Sequence, residues 1–235
     1  MNLKEYQHKK IAILGYGTEG KSTFNFLLKN GISENQITLL DKTLDENYLQ
    51  HLADYDIIFK SAGIPYFPEI QAVADKVITQ VQFFFDHYQG KVIAITASKG
   101  KTTMTSLTYA FLKNAGYNVK VVGNIGKPVL EEIDFDQEYD YVVIELSSYM
   151  LQTLKKQNFI SLLGAIFPEH LDRHGGMKQY MQAKLRILEG SERNIVFSST
   201  LSAEPLFRFA PYPTARIQSP FSGGSTTGVV GTIPC

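Results

Sequence analysis

At 235 residues, 44% of them hydrophobic and 20% charged, the chain has the apolar material for a sizeable core and room for one large or two small domains. Lys+Arg 23 against Asp+Glu 23 leaves a formal net charge of zero, so there is no general attraction to nucleic acid or an anionic membrane, and any anion must be held locally. The one cysteine, Cys235, excludes an intrachain disulfide and a cysteine metal cluster; with no signal-peptide stretch and no apolar run of membrane-spanning length, a soluble cytoplasmic protein is expected.

Short β-branched apolar runs alternate with helix-length segments. The first series is "KIAIL" (10–14), "QITLL" (36–40), "DIIF" (56–59) and "KVIT" (76–79). The aromatic-rich "VQFFFDHYQG" (81–90) follows, and the domain boundary is expected near Gly90. A second series then runs "KVIAIT" (91–96), "NVKVV" (118–122), "YVVIE" (141–145), "LLGAIF" (162–167) and "NIVF" (194–197). This alternation predicts an α/β protein with parallel sheets, in two domains, 1–90 and 91–235. From about Ser198 the pattern loosens into Pro, Gly, Ser and Thr, and the tail reads as an unfinished piece of the second domain.

Two glycine loops carry the chemistry. "GYGTEG" (15–20) follows the first strand and matches G-x-G-x-x-G, with Asp41 at the end of the second strand suitably placed to accept a ribose hydroxyl. Taken alone it suggests a nicotinamide dehydrogenase, although tight strand-to-helix turns also use glycines for purely structural reasons. "ASKGKTT" (97–103) lies between the strand "VIAIT" and the next helix, where N–H groups at the helix start, the Lys101 cation and the Thr102 hydroxyl would hold a triphosphate with magnesium. Ile95 stands where a strict P-loop begins with glycine, and Ala97 replaces the first glycine of a shorter G-x-x-G-K-[ST] loop. Ala97 is tolerable if its φ stays negative, and Gly100 is retained. A lysine and two threonines are also an ordinary helix start. Glu145, ending an apolar strand, and His170 are suitable metal ligands, although a strand-end glutamate can equally be a solvated rim residue.

"IAILGYGTEG", "KSAGIP" (60–65), "ITASKGKTT", "GNIG" (123–126), "IELSSYML" (144–151), "PEHLDRHG" (168–175) and "YMQAKLRIL" (180–188) stand in the order and approximate spacing of the Mur ligases, which the chain resembles from about Lys10 to Ser198. The resemblance implies a Rossmann-like UDP-sugar-binding domain at 1–90 and a P-loop-type ATP-binding central domain, incomplete, at 91–235. It implies an ATP-dependent amide ligase of peptidoglycan precursor synthesis, working through an acyl phosphate. "GNIG" and "ELSSYML" favour the member that joins D-glutamate to UDP-N-acetylmuramoyl-L-alanine, both small-molecule substrates, by a monomer that binds neither nucleic acid nor membrane.

The same resemblance implies site residues. Ser98, Lys99, Gly100, Lys101, Thr102 and Thr103 would hold ATP; Thr102, Glu145, His170 and Lys184 would place magnesium (Mg2+), with Lys101, Glu145, His170 and Lys184 catalytic. Lys184 is expected to be carbamylated, which requires a site that favours the neutral amine. Thr18, Glu19, Asp41, Lys42, Thr43, Ser61, Gly63, Asn124 and His170 would contact the UDP-sugar. Glu19 replaces a small hydroxyl residue, Met150 a glutamine and Glu169 an aspartate of the family pattern. Family members are roughly twice this length and end in a third domain that supplies the amino-acid site. The expectation is therefore a chain that binds both nucleotides without amide synthesis, with a non-catalytic UDP-sugar and ATP binding module, or another member of the family, as the alternatives.

Overall fold

The computed structural model describes residues 3–156 and 158–197, and the backbone of 216–218 and 227–232. In chain order the elements are β1 (Ile11–Leu14), α1 (Thr18–Lys29), β2 (Ile37–Leu40), β3 (Ile57–Lys60), α2 (Pro68–Gln71), β4 (Val77–Ile78) and α3 (Gln80–His87). They continue with β5 (Val92–Thr96), α4 (Lys101–Asn114), β6 (Val119–Gly123), α5 (Val129–Glu132), β7 (Tyr141–Glu145), α6 (Ser148–Leu151) and β8 (Asn158–Leu163). Last come α7 (Leu171–His174), α8 (Met177–Leu185), β9 (Ser191–Val196), β10 (Arg216–Gln218) and β11 (Thr227–Thr232). The α/β class expected from the alternation is what the chain forms.

Two compact units divide the chain: Met1–Tyr88 with Gly126–Glu138, and Gln89–Ile125 with Tyr139–Cys235. The first holds a four-stranded parallel sheet in the order β2-β1-β3-β4. β1 is buried at every position, as a continuous apolar run in the middle of a parallel sheet must be. Phe83 of α3 is fully buried, stacked on His87 with centroids 4.1 Å apart and ringed by Tyr6, Phe26 and Phe59 at 5.5–5.8 Å. The aromatic stretch 81–90 thus supplies core to the first unit. Segment 126–138 returns to that unit, whereas the expected second domain ran unbroken from 91. Phe135 anchors it, with its ring 5.9 Å from Phe26 and 6.1 Å from Phe83, and Val129, Leu130 and Ile133 are buried.

The second unit carries a seven-stranded sheet in the order β10-β11-β9-β8-β5-β7-β6. Its strands from β9 to β6 are parallel, while β11 adds to β9 and β10 to β11 antiparallel. β5 is buried throughout. α4 packs on the sheet through Met104, Tyr109 and Leu112 against Ile93, Ile95, Val119 and Val143.

Two strands begin before their expected limits: β9 spans Ser191–Val196 where "NIVF" predicted 194–197, and β8 differs more. "LLGAIF" predicted a strand over 162–167, whereas β8 spans Asn158–Leu163 and 164–167 form a loop. The polar start of β8 hides the strand in the sequence, because its partners come from elsewhere. Asn158 and Ser161 are buried and bonded to Lys156, Ser191 and the Ile187 carbonyl. Cys235 and the tail outside 216–218 and 227–232 lie outside the described residues.

Candidate functional site

In the first unit the glycine loop is shaped by backbone approach. Gly15 has φ +92°, and a Cβ on Gly20 would lie 2.0 Å from the Gly15 carbonyl oxygen, so the turn from β1 into α1 closes only around a bare glycine. Gly17 is the N-cap of α1 with no side-chain cap, and the space above it is open. Asp41 supports this loop. One carboxylate oxygen accepts from Tyr16 N at 2.7 Å and the other from Thr43 N and Thr43 Oγ1 at 2.9 and 2.7 Å, and these bonds hold its pKa below the usual carboxylate value. Ser61 donates to the Gly15 carbonyl at 2.8 Å, tying the loop after β3 to the first loop. Thr18, Lys42, Thr43 and Gly63 are exposed around this end of the sheet.

Glu19 does not point away. Its Oε2 accepts the Ala62 N–H at 2.8 Å across the crevice from the loop after β3, and burial raises its pKa against the opposing effects of that bond and of Lys60.

The second unit collects most of the remaining candidates. Gly100 takes φ +81° at the N-cap of α4 with open space where a Cβ would stand, so the glycine is needed for its backbone conformation and not for room. Ala97 is absent from the positive-φ residues, as its methyl requires, and that methyl is matched by Gly164, where a Cβ would lie 2.8 Å from Ala97 Cβ and 2.8 Å from Met104 Cε. Lys101 Nζ folds back onto the loop, donating to Ser98 O at 2.7 Å and Ala97 O at 3.1 Å. Ser98 is buried: its hydroxyl donates to the Phe167 carbonyl at 3.0 Å, accepts the Phe167 N–H at 2.9 Å and lies 2.6 Å from Tyr180 Oη. Lys99 is exposed and pairs with Glu169 at 3.3 Å; Thr102 and Thr103 face outward on the first turn of α4.

Lys184, from α8, is 2% exposed. Its Nζ donates to Thr96 Oγ1 and to Ala97 O, both at 2.8 Å, and Thr96 in turn donates to Leu146 O at 2.6 Å. Burial, and then the Lys101 charge, lower its pKa from 10.5 to about 7, while Glu169 and Glu145 act the other way. A neutral amine has two N–H groups, and both are accounted for by these acceptors, which leaves the lone pair unengaged.

Glu145 ends β7 opposite Ile95 of β5 and Gly123 of β6. It is 1% exposed; Oε1 accepts from Asn124 Nδ2 at 2.9 Å, and Oε2 is buried with no hydrogen-bond partner. A buried carboxylate oxygen without a donor calls for a cation, so this residue fits a metal ion. His170 sits in the left-handed region, φ +55°, with its ring 5.3 Å from that of Tyr149. Among the described residues no group of three or more His, Cys, Asp or Glu side chains could hold a metal by itself. Any metal held here would need other ligands besides.

Sequence reasoning missed the residues that hold these groups in place. Tyr180 reaches Ser98, and His174 stacks on Tyr149 with centroids 5.1 Å apart at 3° while its Nε2 lies 3.0 Å from Ser148 Oγ. Burial, and then His170, Lys184 and Arg173, keep the His174 pKa below the usual imidazole value. The only signal for Tyr180 was its place one helical turn before Lys184.

Residues 95–204 match the Mur ligase middle domain. The UDP-N-acetylmuramoylalanine--D-glutamate ligase of Acetivibrio thermocellus is 34% identical over 208 residues, 78% of this chain and 44% of the relative. A protein of the same name from Clostridium botulinum is 34% identical over 212 residues, 80% of this chain and 46% of the relative. Among solved structures, the MurF ligase of Thermotoga maritima in complex with ADP is 19% identical with a TM-score of 0.46, covering 88% of this chain and 47% of that one. The chain spans less than half the length of the curated relatives it matches. Residues 95–204 are thus similar to the middle domain of the Mur ligases, and most of the chain is similar to ligases of that family.

Proposed function

We propose that this chain serves the ATP-dependent joining of D-glutamate to UDP-N-acetylmuramoyl-L-alanine, with ATP in the second unit and the UDP-sugar on the first. The observation that carries the reading is the buried Lys184 beside the phosphate loop, bonded to Thr96 and Ala97 and brought close to neutrality. It stands within a sequence 34% identical to ligases of that name. In the proposed reaction a substrate carboxylate oxygen attacks the γ-phosphorus of ATP and ADP leaves. The amine of D-glutamate then attacks the acyl carbon, phosphate departs and the amine loses a proton.

Two anions must meet for the first step, so the residues must supply positive charge. Lys101 and the N–H groups opening α4 would meet the phosphates, with Ser98, Lys99, Gly100, Thr102 and Thr103 forming the rest of the cradle. Magnesium, when bound, would neutralise phosphate charge; Thr102, Glu145, His170 and Lys184 would hold it, Glu145 through the oxygen that has no donor. Lys184 would contribute as a carbamate: its neutral amine adds to carbon dioxide, a C–N bond forms and one N–H proton is lost, which turns a cation into a carboxylate. Thr18, Asp41, Lys42, Thr43, Ser61 and Gly63 would receive the UDP-sugar in the first unit, and Asn124 and His170 are the substrate-contact candidates of the second unit. The zero net charge fits a protein that binds neither nucleic acid nor membrane, the single cysteine fits a cytoplasmic setting, and a monomer is proposed with them.

Calorimetric titration of the full chain tests this. Magnesium-ATP and UDP-N-acetylmuramoyl-L-alanine should each bind, and Lys101→Ala should weaken ATP by roughly 10- to 100-fold, the scale of a charge-assisted contact, with the UDP-sugar unaffected. Unchanged ATP affinity in that variant would remove Lys101 from the site, and failure of the UDP-sugar to bind would overturn the substrate reading.

A further inference from the structure

The strand order of the first unit creates a crevice at one place. From β1 the chain goes to β2 on one side of the sheet, and β3 returns to the other side of β1. Ligands of open parallel sheets bind at such a reversal, outside the carboxyl ends of the strands. Here that position lies between the start of α1, uncapped at Gly17 with open space above it, and the 61–63 loop. The Ser61 hydroxyl holds the two sides together through the Gly15 carbonyl.

Glu19 lies across this crevice. Its carboxylate takes the Ala62 N–H at 2.8 Å, and its backbone carbonyl accepts from Gln80 Nε2 at 2.8 Å and Thr23 Oγ1 at 3.0 Å, so the side chain starts from a fixed point on the helix. Lys60 of β3 is the charged group whose field reaches the carboxylate. Lys60 is itself buried, with Nζ 3.1 Å from the Ser61 carbonyl and 4.5 Å from the Tyr66 ring centroid. α3 presents the neutral Gln80, and Asp41, following β2, is held on Tyr16 N and Thr43. A carboxylate on the first turn of the uncapped helix therefore takes the Ala62 N–H, which would otherwise be offered to an anion.

We propose that Glu19 determines the affinity of this crevice for a nucleoside diphosphate: its carboxylate occupies the anion position, and the pyrophosphate binds against it. The proposal rests on the reading of the first unit as the UDP-sugar site. It makes Glu19 a residue that weakens binding while ionised. Burial raises the pKa of this carboxylate, so acidification discharges it before an ordinary surface glutamate, and affinity should rise as pH falls.

The test is calorimetric titration of the full chain with UDP-N-acetylmuramoyl-L-alanine, whose pyrophosphate diester does not change charge over the range used. Glu19→Gln keeps an oxygen acceptor for Ala62 N and removes the charge. At about pH 8 it should bind roughly tenfold tighter than wild type, a gain that shrinks at high salt. As pH falls from about 8 toward the ordinary glutamate range the wild type should tighten toward the variant, while the variant stays flat. The wild-type profile requires no substitution, so it decides the question even if the variant folds poorly. Equal or weaker binding by Glu19→Gln, or a pH-independent wild type, would make Glu19 a structural strut and overturn the proposal alone. Absence of binding by both proteins at every pH would overturn it together with the UDP-sugar reading.

Discussion

Among the described residues, the buried Lys184 and the half-buried Lys156 both have a lowered pKa that bears on folding. Each is brought from 10.5 to about 7, chiefly by desolvation. Between about pH 7 and 10.5 the unfolded chain then binds more protons than the folded one, so stability rises with pH across that window and the contribution is flat below it. Lys184→Met should remove its share of the rise. Urea midpoints of wild type and variant at about pH 7 and 9.5 check this, and equal increments in the two proteins would mean that Lys184 titrates as an exposed lysine. The same residue carries a chemical prediction. In 13C-bicarbonate near neutral pH, a carbamate carbon resonance should appear in the wild type, vanish on acidification and be missing from Lys184→Met. Retention of the signal in the variant would assign it to another amine, with Lys156 the first to examine.

The strand-to-helix turn of the second unit depends on two small residues from different elements. Ala97 follows β5 and Gly164 follows β8, and the methyl of the first fills the space the second leaves. Gly164→Ala should cost about 1–3 kcal/mol through overpacking, and adding Ala97→Gly should recover part of that loss. The check is a double-mutant cycle by chemical denaturation; strict additivity would show that Met104 alone absorbs the new methyl. Helix starts are simpler. Thr79 caps α3 by accepting Gln82 N at 3.1 Å, and Ser147 caps α6 by accepting Met150 N at 3.2 Å. Either residue changed to Ala should lower stability by roughly 1 kcal/mol, and an unchanged midpoint would show that the cap bond contributes nothing. Ser147 is the first serine of "ELSSYML", while the second, Ser148, bonds His174. Two neighbouring motif serines therefore have different tasks, which the motif alone does not separate.

For the molecule as a whole, each unit has its own sheet and core, so ligand effects should be separable along the chain. Hydrogen exchange with magnesium-ATP should slow amides around 96–105, and exchange with the UDP-sugar should slow those around 15–20 and 61–63. Protection by the UDP-sugar confined to 96–105 would reverse the proposed division of labour. No helix among the described residues is long and apolar enough to cross a membrane.

The alternation of strands and helices up to about residue 197, the α/β class and the two glycine loops were legible in the sequence because they rest on local patterns: continuous apolar runs, and glycines between a strand and a helix. Even the departure at Ala97 was readable as a constraint on one φ angle. Other features depended on partners distant in sequence. The polar start of β8 is a strand because Lys156, Ser191 and the Ile187 carbonyl satisfy its buried groups. Segment 126–138 belongs to the first unit because Phe135 finds Phe26 and Phe83 there. Composition marks Glu19 only as one acid among 23 acidic residues. Its charge matters because the sheet order brings Ala62, 43 residues away, to its carboxylate. Burial and hydrogen-bond satisfaction are properties of the folded surroundings, so the chemistry of Lys184, Glu145 and Glu19 was decided by tertiary structure.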